Sequence, residues 1–236
     1  MKEIKVDVCV IGAGSGGLSV ASGSAQLGVK TVLIEKGEMG GDCLNYGCVP
    51  SKALLHVGKT AQTIRNAGNI GISVSEPQVD YAKAMDHVHE AIARIAPHDS
   101  QERFEGLGVH VIREFGSFID SKTVQAGDTR VTAKFFVIAT GSSAFVPPVP
   151  GLADTPFLTN ETLFSQTERP DHLAIMGGGP IGIEMAQAHA RLGSKVTVIE
   201  MAPSIMGKDD PDLVEVVRDR LVAEGIDLLE STKVAA

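Results

Sequence analysis

The spacing of hydrophobic and polar residues changes several times along the chain, and each change marks an element. Val8-Cys9-Val10-Ile11 is a short apolar run that reads, from Val6 onward, as a strand. An Ala/Gly/Leu-rich helical stretch follows, and then the β-branched run Thr31-Val32-Leu33-Ile34, ending in Glu35. From Ser51 to Pro97 the pattern is helical, with Pro50 suited to a first-turn position. Met85, Val88, Ile92 and Ile95 form a stripe at helical spacing, the mark of a core or interface face. Pro97 breaks the pattern, and a short helix to Leu107 is expected after it. Residues 109–112, 116–119 and 123–125 read as short strands, with Ala126-Gly127-Asp128-Thr129 as a hairpin turn. Residues 134–141 are nearly continuous apolar sequence, which predicts a strand buried on both faces. Pro147-Pro148-Val149-Pro150-Gly151 then punctuates the chain. Beyond it come a strand, a helix, a strand, a helix over about residues 209–224 and a last run, Ile226-Asp227-Leu228-Leu229. Strands alternating with helices predict an α/β fold with parallel sheets, divided into units at 1–145 and 146–236.

Composition narrows the class. The 236 residues carry 21 Lys+Arg against 29 Asp+Glu, a formal net charge of -8 with no basic run, which disfavours a nucleic-acid partner. A hydrophobic content of 43% with 26 glycines describes a folded chain rich in tight turns rather than a disordered one. Three cysteines are too few for a secreted disulfide framework and fit a reducing compartment. The apolar run near the N-terminus is too short for a signal segment, and no stretch approaches a membrane span, so a cytoplasmic location is expected.

The chain repeats itself. Val10-Ile11-Gly12-Ala13-Gly14-Ser15-Gly16-Gly17 is matched 165 residues later by Ile175-Met176-Gly177-Gly178-Gly179-Pro180-Ile181-Gly182. Leu27-Gly28 recurs as Leu192-Gly193, and each copy ends in an acid, Glu35 or Glu200, that stands 23 residues after its first glycine. A lone GxGxxG says little. Here each copy follows an apolar strand, opens a helical stretch and ends in an acid after the next strand, the full context of a dinucleotide-binding fingerprint. The first glycine permits the tight turn, the second lets backbone approach a pyrophosphate, and the third lets helix and strand pack closely. The acid accepts hydrogen bonds from a ribose 2′-hydroxyl and repels a 2′-phosphate, so Glu200 favours NAD over NADP.

Between the fingerprints stands Gly40-Gly41-Asp42-Cys43-Leu44-Asn45-Tyr46-Gly47-Cys48-Val49-Pro50-Ser51-Lys52. Cys48 falls at or just before the expected helix, where the dipole favours a thiolate. Two buried small hydrophobes would leave the glycine and proline framing unexplained. A zinc site would need further ligands, and no second Cys pair or suitably spaced His pair supplies them, so no metal is expected. A catalytic disulfide accounts for the pair best. Cys9, inside the first strand, reads as inert core.

Taken together, the Cys43–Cys48 block, the two fingerprints and Ala139-Thr140-Gly141 resemble the pyridine nucleotide–disulfide oxidoreductases, the flavoenzyme family of dihydrolipoamide dehydrogenase, glutathione reductase and mercuric reductase. The resemblance covers essentially the whole chain and implies two Rossmann-like dinucleotide-binding units. It places FAD on Gly12, Gly14, Gly17 and Glu35, with Lys36, Gly41, Asp42, Lys52, Thr140 and Gly141 also at the FAD site. It places NAD on Gly177, Gly179, Gly182 and Glu200. By the same resemblance Cys48 is the charge-transfer thiol beside the flavin and Cys43 the interchange thiol facing the substrate. Lys52 matches the lysine near the flavin N5, and Glu184 its ion-pair partner. The activity implied is electron transfer between NADH, FAD and the Cys43–Cys48 disulfide, to or from a small or protein-bound dithiol such as dihydrolipoamide. An oxidase or transhydrogenase on the same scaffold is the alternative, or a nucleotide-binding module without activity. Tyr46 stands where the family more often has a small aliphatic residue. Family members continue with a second FAD segment and a dimerisation domain carrying a His–Glu pair, and none of the seven histidines here matches that motif. The chain is therefore expected to be part of a longer, homodimeric protein and not to complete a catalytic cycle alone.

Overall fold

The computed structural model describes residues 1–235. Strand β1 (Lys2–Ile11) starts four residues earlier than the sequence pattern suggests. Its first half alternates, with Ile4 and Val6 packed against the core, and pairs only with strand β6 (Thr129–Ile138). Its second half, Cys9-Val10-Ile11, is fully apolar because it lies between β6 and β2 (Thr31–Ile34). Helix α1 (Ser15–Gln26) joins β1 to β2 and buries Gly17, Leu18 and Ala21. After β2 come the one-turn helix α2 (Gly41–Asn45) and the long helix α3 (Cys48–Asn66).

The helical stretch expected over 51–97 is not continuous. A 3-10 turn over Ala67–Ile70 ends α3, Gly71 takes φ +87°, and regular structure resumes only at helix α4 (Tyr81–Ile95). Pro77 accounts for part of the gap, since it disfavours helix in the residue before it. The remainder of the first sheet comes from β3 (His110–Ile112), which follows the short helix α5 (Gln101–Gly106), and from β4 (Gly116–Asp120) and β5 (Thr123–Ala126). The strand order is β3-β2-β1-β6-β5-β4, parallel from β3 to β6 and antiparallel from β6 to β4.

Strand β6 is not buried on both faces as its composition suggests. Strand β5 spans only Thr123–Ala126 and pairs with β6 no further than Thr132, so beyond it β6 has a ladder partner on one side alone. Phe135 and Ile138 are 68% and 69% exposed.

The second sheet is parallel, in the order β7 (His172–Met176), β8 (Lys195–Ile199), β9 (Asp227–Leu229). The four-residue helix α6 (Asn160–Leu163) precedes it, α7 (Pro180–Arg191) joins β7 to β8, and α8 (Pro211–Ala223) joins β8 to β9. Asp210 caps α8 by accepting from the Asp212 N–H, with Pro211 at the first helical position.

The chain forms two compact units, Met1–Pro50 with Glu90–Ala144, and Ser51–His89 with the chain from Phe145 onward. The segment 51–89, which the sequence reading left in the first domain, thus groups with the second unit. Hydrogen bonds carry that grouping: Arg65 donates to the Arg191 carbonyl (2.7 Å) and Tyr81 Oη meets His189 Nε2 (3.2 Å). The other ring nitrogen, His189 Nδ1, lies 2.8 Å from the Met185 carbonyl, which can only accept, so Nδ1 carries the proton and Nε2 accepts from Tyr81. No helix among the described residues is long and apolar enough to cross a membrane.

Candidate active site

The two fingerprint turns are built alike. Gly12 takes φ +106° and donates its N–H to the Ile34 carbonyl (2.8 Å); 165 residues later Gly177 takes φ +109° and donates to Ile199 (2.9 Å). A Cβ on Gly17 would stand 1.8 Å from the Gly12 carbonyl oxygen, and one on Gly182 2.2 Å from that of Gly177. A Cβ on Gly12 would stand 2.1 Å from the Ala139 carbonyl and 3.1 Å from Thr140 Cα, so the turn after β6, with Thr140 and Gly141 (φ +67°), abuts the first fingerprint. The middle glycines differ in kind. A Cβ on Gly179 would meet nothing within 4 Å, and one on Gly14 only Gly41 Cα at 4.0 Å. Among the outer glycines, Gly12, Gly17 and Gly182 answer to the protein's own backbone and Gly177 to its positive φ alone, while the middle ones face open space.

The two acids repeat the symmetry. Glu35 accepts from the N–H groups of Ala13 and Gly37, each at 2.6 Å, and Glu200 accepts from Gly178 (2.6 Å) and Ala202 (2.7 Å). Each carboxylate oxygen holds one backbone donor and keeps lone pairs for a ligand hydroxyl. Such charge-assisted bonds stabilise by about 1.5–3 kcal/mol each. They fix the acid at the mouth of its turn. A pyrophosphate therefore fits at both places: the N-caps Gly14 and Gly179 carry no side-chain cap, and the first-turn N–H groups of α1 and α7 lie behind a glycine whose Cβ position is open.

The cysteine loop is joined to the first turn. Gly40, at φ +88°, donates to the Ala13 carbonyl (2.9 Å) and forms a parallel bridge with Gly14. Gly41, at φ +57°, lies so close that a Cβ there would stand 2.6 Å from Gly14 Cα. Helix α2 then carries Cys43, and Cys48 is the first residue of α3, as the sequence places it. Both are thiols in the structure. The Cys43 thiol is hydrogen-bonded to the Cys48 side chain, and this contact, with burial and the charge of Cys48 and Asp99, pushes Cys43 up to about 11. Burial alone raises the Cys9 thiol to about 12, in keeping with inert core. The cysteines predicted to act together are in contact.

Lys52, four residues after Cys48 on α3, points its ammonium at both oxygens of Glu184 (2.6 and 2.7 Å), on α7. A separation of 132 residues in sequence is closed by that ion pair. Lys36 instead lies over the Phe115 ring, 5.4 Å from its centroid. Asp42 is exposed, with a carboxylate oxygen 2.8 Å from where a Gly47 Cβ would stand. Two residues with no role in the sequence reading belong to the site. Arg113 donates to the Gly37 carbonyl beside the Glu35 staple, and Asn45 ties the cysteine loop together. Asn45 was visible in the motif but spacing gave it no task, and nothing in the sequence marks Arg113. Among the described residues no cluster of three or more His, Cys, Asp or Glu side chains is placed to hold a metal ion.

Comparison with known proteins agrees with this geometry. The chain is 32% identical over 223 residues to the mercuric reductase of Bacillus cereus, covering 94% of the chain and 35% of that protein. It is 36% identical to the mitochondrial dihydrolipoyl dehydrogenase of Schizosaccharomyces pombe, covering 96% of the chain and 46% of that protein. The solved structure of the HOCl-induced flavoprotein disulfide reductase RclA from Escherichia coli superposes with a TM-score of 0.81 at 27% identity, over 96% of this chain and 49% of that one. The chain thus spans half or less of the length of these relatives. Residues 6–236 match the pyridine nucleotide-disulphide oxidoreductase family model, and the chain belongs to that family, whose cofactors are FAD and a pyridine nucleotide.

Proposed function

We propose that this chain carries the two nucleotide sites and the redox cysteines of an NADH-dependent flavoprotein disulfide oxidoreductase of the cytoplasm, working as a homodimer on a small or protein-bound dithiol or disulfide. The observation that carries the reading is the Cys43–Cys48 thiol contact on a loop bound to the first dinucleotide turn. Gly12, Gly14, Gly17 and Glu35 would hold FAD, and Gly177, Gly179, Gly182 and Glu200 would hold NAD. FAD supplies two-electron transfer between the nicotinamide and the cysteine pair. The fixed carboxylate of Glu200 would repel a 2′-phosphate, which favours NADH over NADPH. By the resemblance Lys52, held by Glu184, would supply positive charge to a flavin that gains negative charge on reduction.

The chain's own thiols perform the exchange. In the dithiol state Cys43 holds its proton, because its hydrogen bond to Cys48 and its burial favour the thiol. Once a base takes that proton, Cys43 attacks one sulfur of a substrate disulfide, forming a mixed disulfide and releasing the first substrate thiolate. Cys48 then attacks the Cys43 sulfur, closes the Cys43–Cys48 disulfide and releases the second. Two electrons have passed to the substrate, and its two thiolates take up the proton left on the base and the one that Cys48 gives up as it attacks. With a dithiol substrate the same steps run in reverse.

Anaerobic titration of the FAD-loaded protein with NADH tests the reading. Uptake of electrons with a long-wavelength thiolate-to-flavin absorbance, lost in Cys48→Ser, is expected. Plain flavin bleaching without that band would point to an oxidase or transhydrogenase instead. Faster reduction by NADPH than by NADH would remove the role given to Glu200.

A further inference from the structure

We infer that Asn45 is the positioning residue that transmits the location of the first nucleotide turn to Cys43; the inference rests on the redox reading of Cys43 and Cys48. Helix α2 is five residues long, and a helix of one turn does not hold itself in water. It opens on two consecutive left-handed residues, Gly40 just before it and Gly41 as its first residue, where the chain reverses. Asn45, the last residue of α2, braces that reversal. Its Nδ2 donates one hydrogen to the Gly41 carbonyl (2.9 Å) and the other to the Met39 carbonyl (3.1 Å), so both donors of the amide are used.

The segment so gripped, Met39-Gly40-Gly41, is the one fixed to the fingerprint turn by the Gly40-to-Ala13 hydrogen bond and the Gly14–Gly40 bridge. Leu44, which is buried, packs against Gly40. Cys43 lies two residues before Asn45, and Cys48 three after it. The amide thus joins a backbone that the nucleotide turn positions to the single turn of helix presenting the interchange thiol. Disulfide formation needs Cβ atoms within about 3.5–4.5 Å, and a loosened α2 presents Cys43 at that distance less of the time.

The experiment equilibrates the protein, with and without FAD, in glutathione buffers and traps thiols by alkylation. Oxidised glutathione takes two electrons and two protons from the dithiol, giving the Cys43–Cys48 disulfide and two glutathione thiols. In Asn45→Ala, and in Asn45→Asp, which keeps the size but has no donor, the equilibrium constant should move about tenfold toward the dithiol, a size set by two lost neutral hydrogen bonds. Asn45→Gln, which retains the amide, should lose less. The melting temperature, read on the same samples, should change little, because the hydrogen bonds of β1 and β2 are untouched. An unchanged constant in Asn45→Ala overturns the positioning role while leaving the redox reading intact, and so does a shift that Asn45→Gln suffers equally. A native protein that forms no Cys43–Cys48 disulfide in these buffers overturns both.

Discussion

Two thiols in contact share their protons unequally, because ionising the second places two negative charges side by side. Cys43 is the one that stays protonated. Its hydrogen bond to Cys48 is the largest cause, followed by burial and the charge of Cys48. A folded-state value above the unfolded one favours the protonated form, so this contact contributes stability below about pH 9 that is lost as pH rises toward 11. The consequence is measurable in the flavin-free dithiol. Alkylation at residue 43, followed by mass spectrometry, should show a midpoint near 11 in the native protein and one moved down toward the ordinary thiol value of 9.0 in Cys48→Ser. A profile unchanged by that substitution would mean burial, not Cys48, sets the reactivity. Residue types could identify the pair, since two cysteines framed by glycines and a proline carry a chemical signature. They could not say which thiol keeps the proton, because that depends on where the Cys48 sulfur and Asp99 come to lie.

At the scale of the element, the turn glycines divide into two kinds that GxGxxG does not distinguish. Gly12, Gly17 and Gly182 are glycine because protein backbone occupies the Cβ position, and Gly12 also because of its φ of +106°. Gly14 and Gly179 are not crowded by the protein, and under the proposed function their requirement would come from the ligand side. Gly17→Ala and Gly182→Ala should therefore lower stability by about 1–3 kcal/mol in the absence of any nucleotide. Gly14→Ala and Gly179→Ala should melt as the native protein does and lose FAD or NAD affinity, respectively. Thermal melts of the apoproteins with nucleotide titrations check both halves. A Gly14→Ala protein that melts low and binds FAD normally would contradict the assignment. The turns and acids were legible because they are local and repeated. Interruption of the 51–97 helix and exposure of β6 were not, since the first needs Gly71 to turn left-handed and the second depends on how far β5 runs.

For the molecule as a whole, the segment 51–89 belongs energetically with the second unit. Gly58 lets α3 approach α7, a Cβ there standing 3.3 Å from the Ala188 carbonyl, and Arg65 donates to the Arg191 carbonyl at the end of α7. Arg191 in turn forms a two-pronged ion pair with Glu224 (2.7 and 2.8 Å), a carboxylate only 4% exposed. Removing one partner of so buried a pair strands the other. Glu224→Ala should destabilise the second unit by about 2–4 kcal/mol. Hydrogen exchange should then speed up in α7, in α8 and in α3 beyond Ser51, while β1 and β2 keep their protection. Exchange in α3 that stays with β1 and β2 would refute the grouping. The resemblance pairs Lys52 with Glu184 across 132 residues, whereas nothing in the sequence pairs Arg191 with Glu224, 33 residues on.

What the sequence determined by itself was everything set by neighbours along the chain: two strand–turn–helix units, the acids that close them, and a cysteine pair beginning a helix. Each follows from local backbone permission, side-chain period and the chemistry of single residue types. What only the tertiary structure decided was which groups meet. The proton on Cys43, the grip of Asn45 on the loop, the Glu224 partner of Arg191 and the unit to which α3 belongs are distances between residues that the chain brings together by folding. Such distances follow from packing and desolvation, which act across the folded molecule and leave no fixed interval in the sequence.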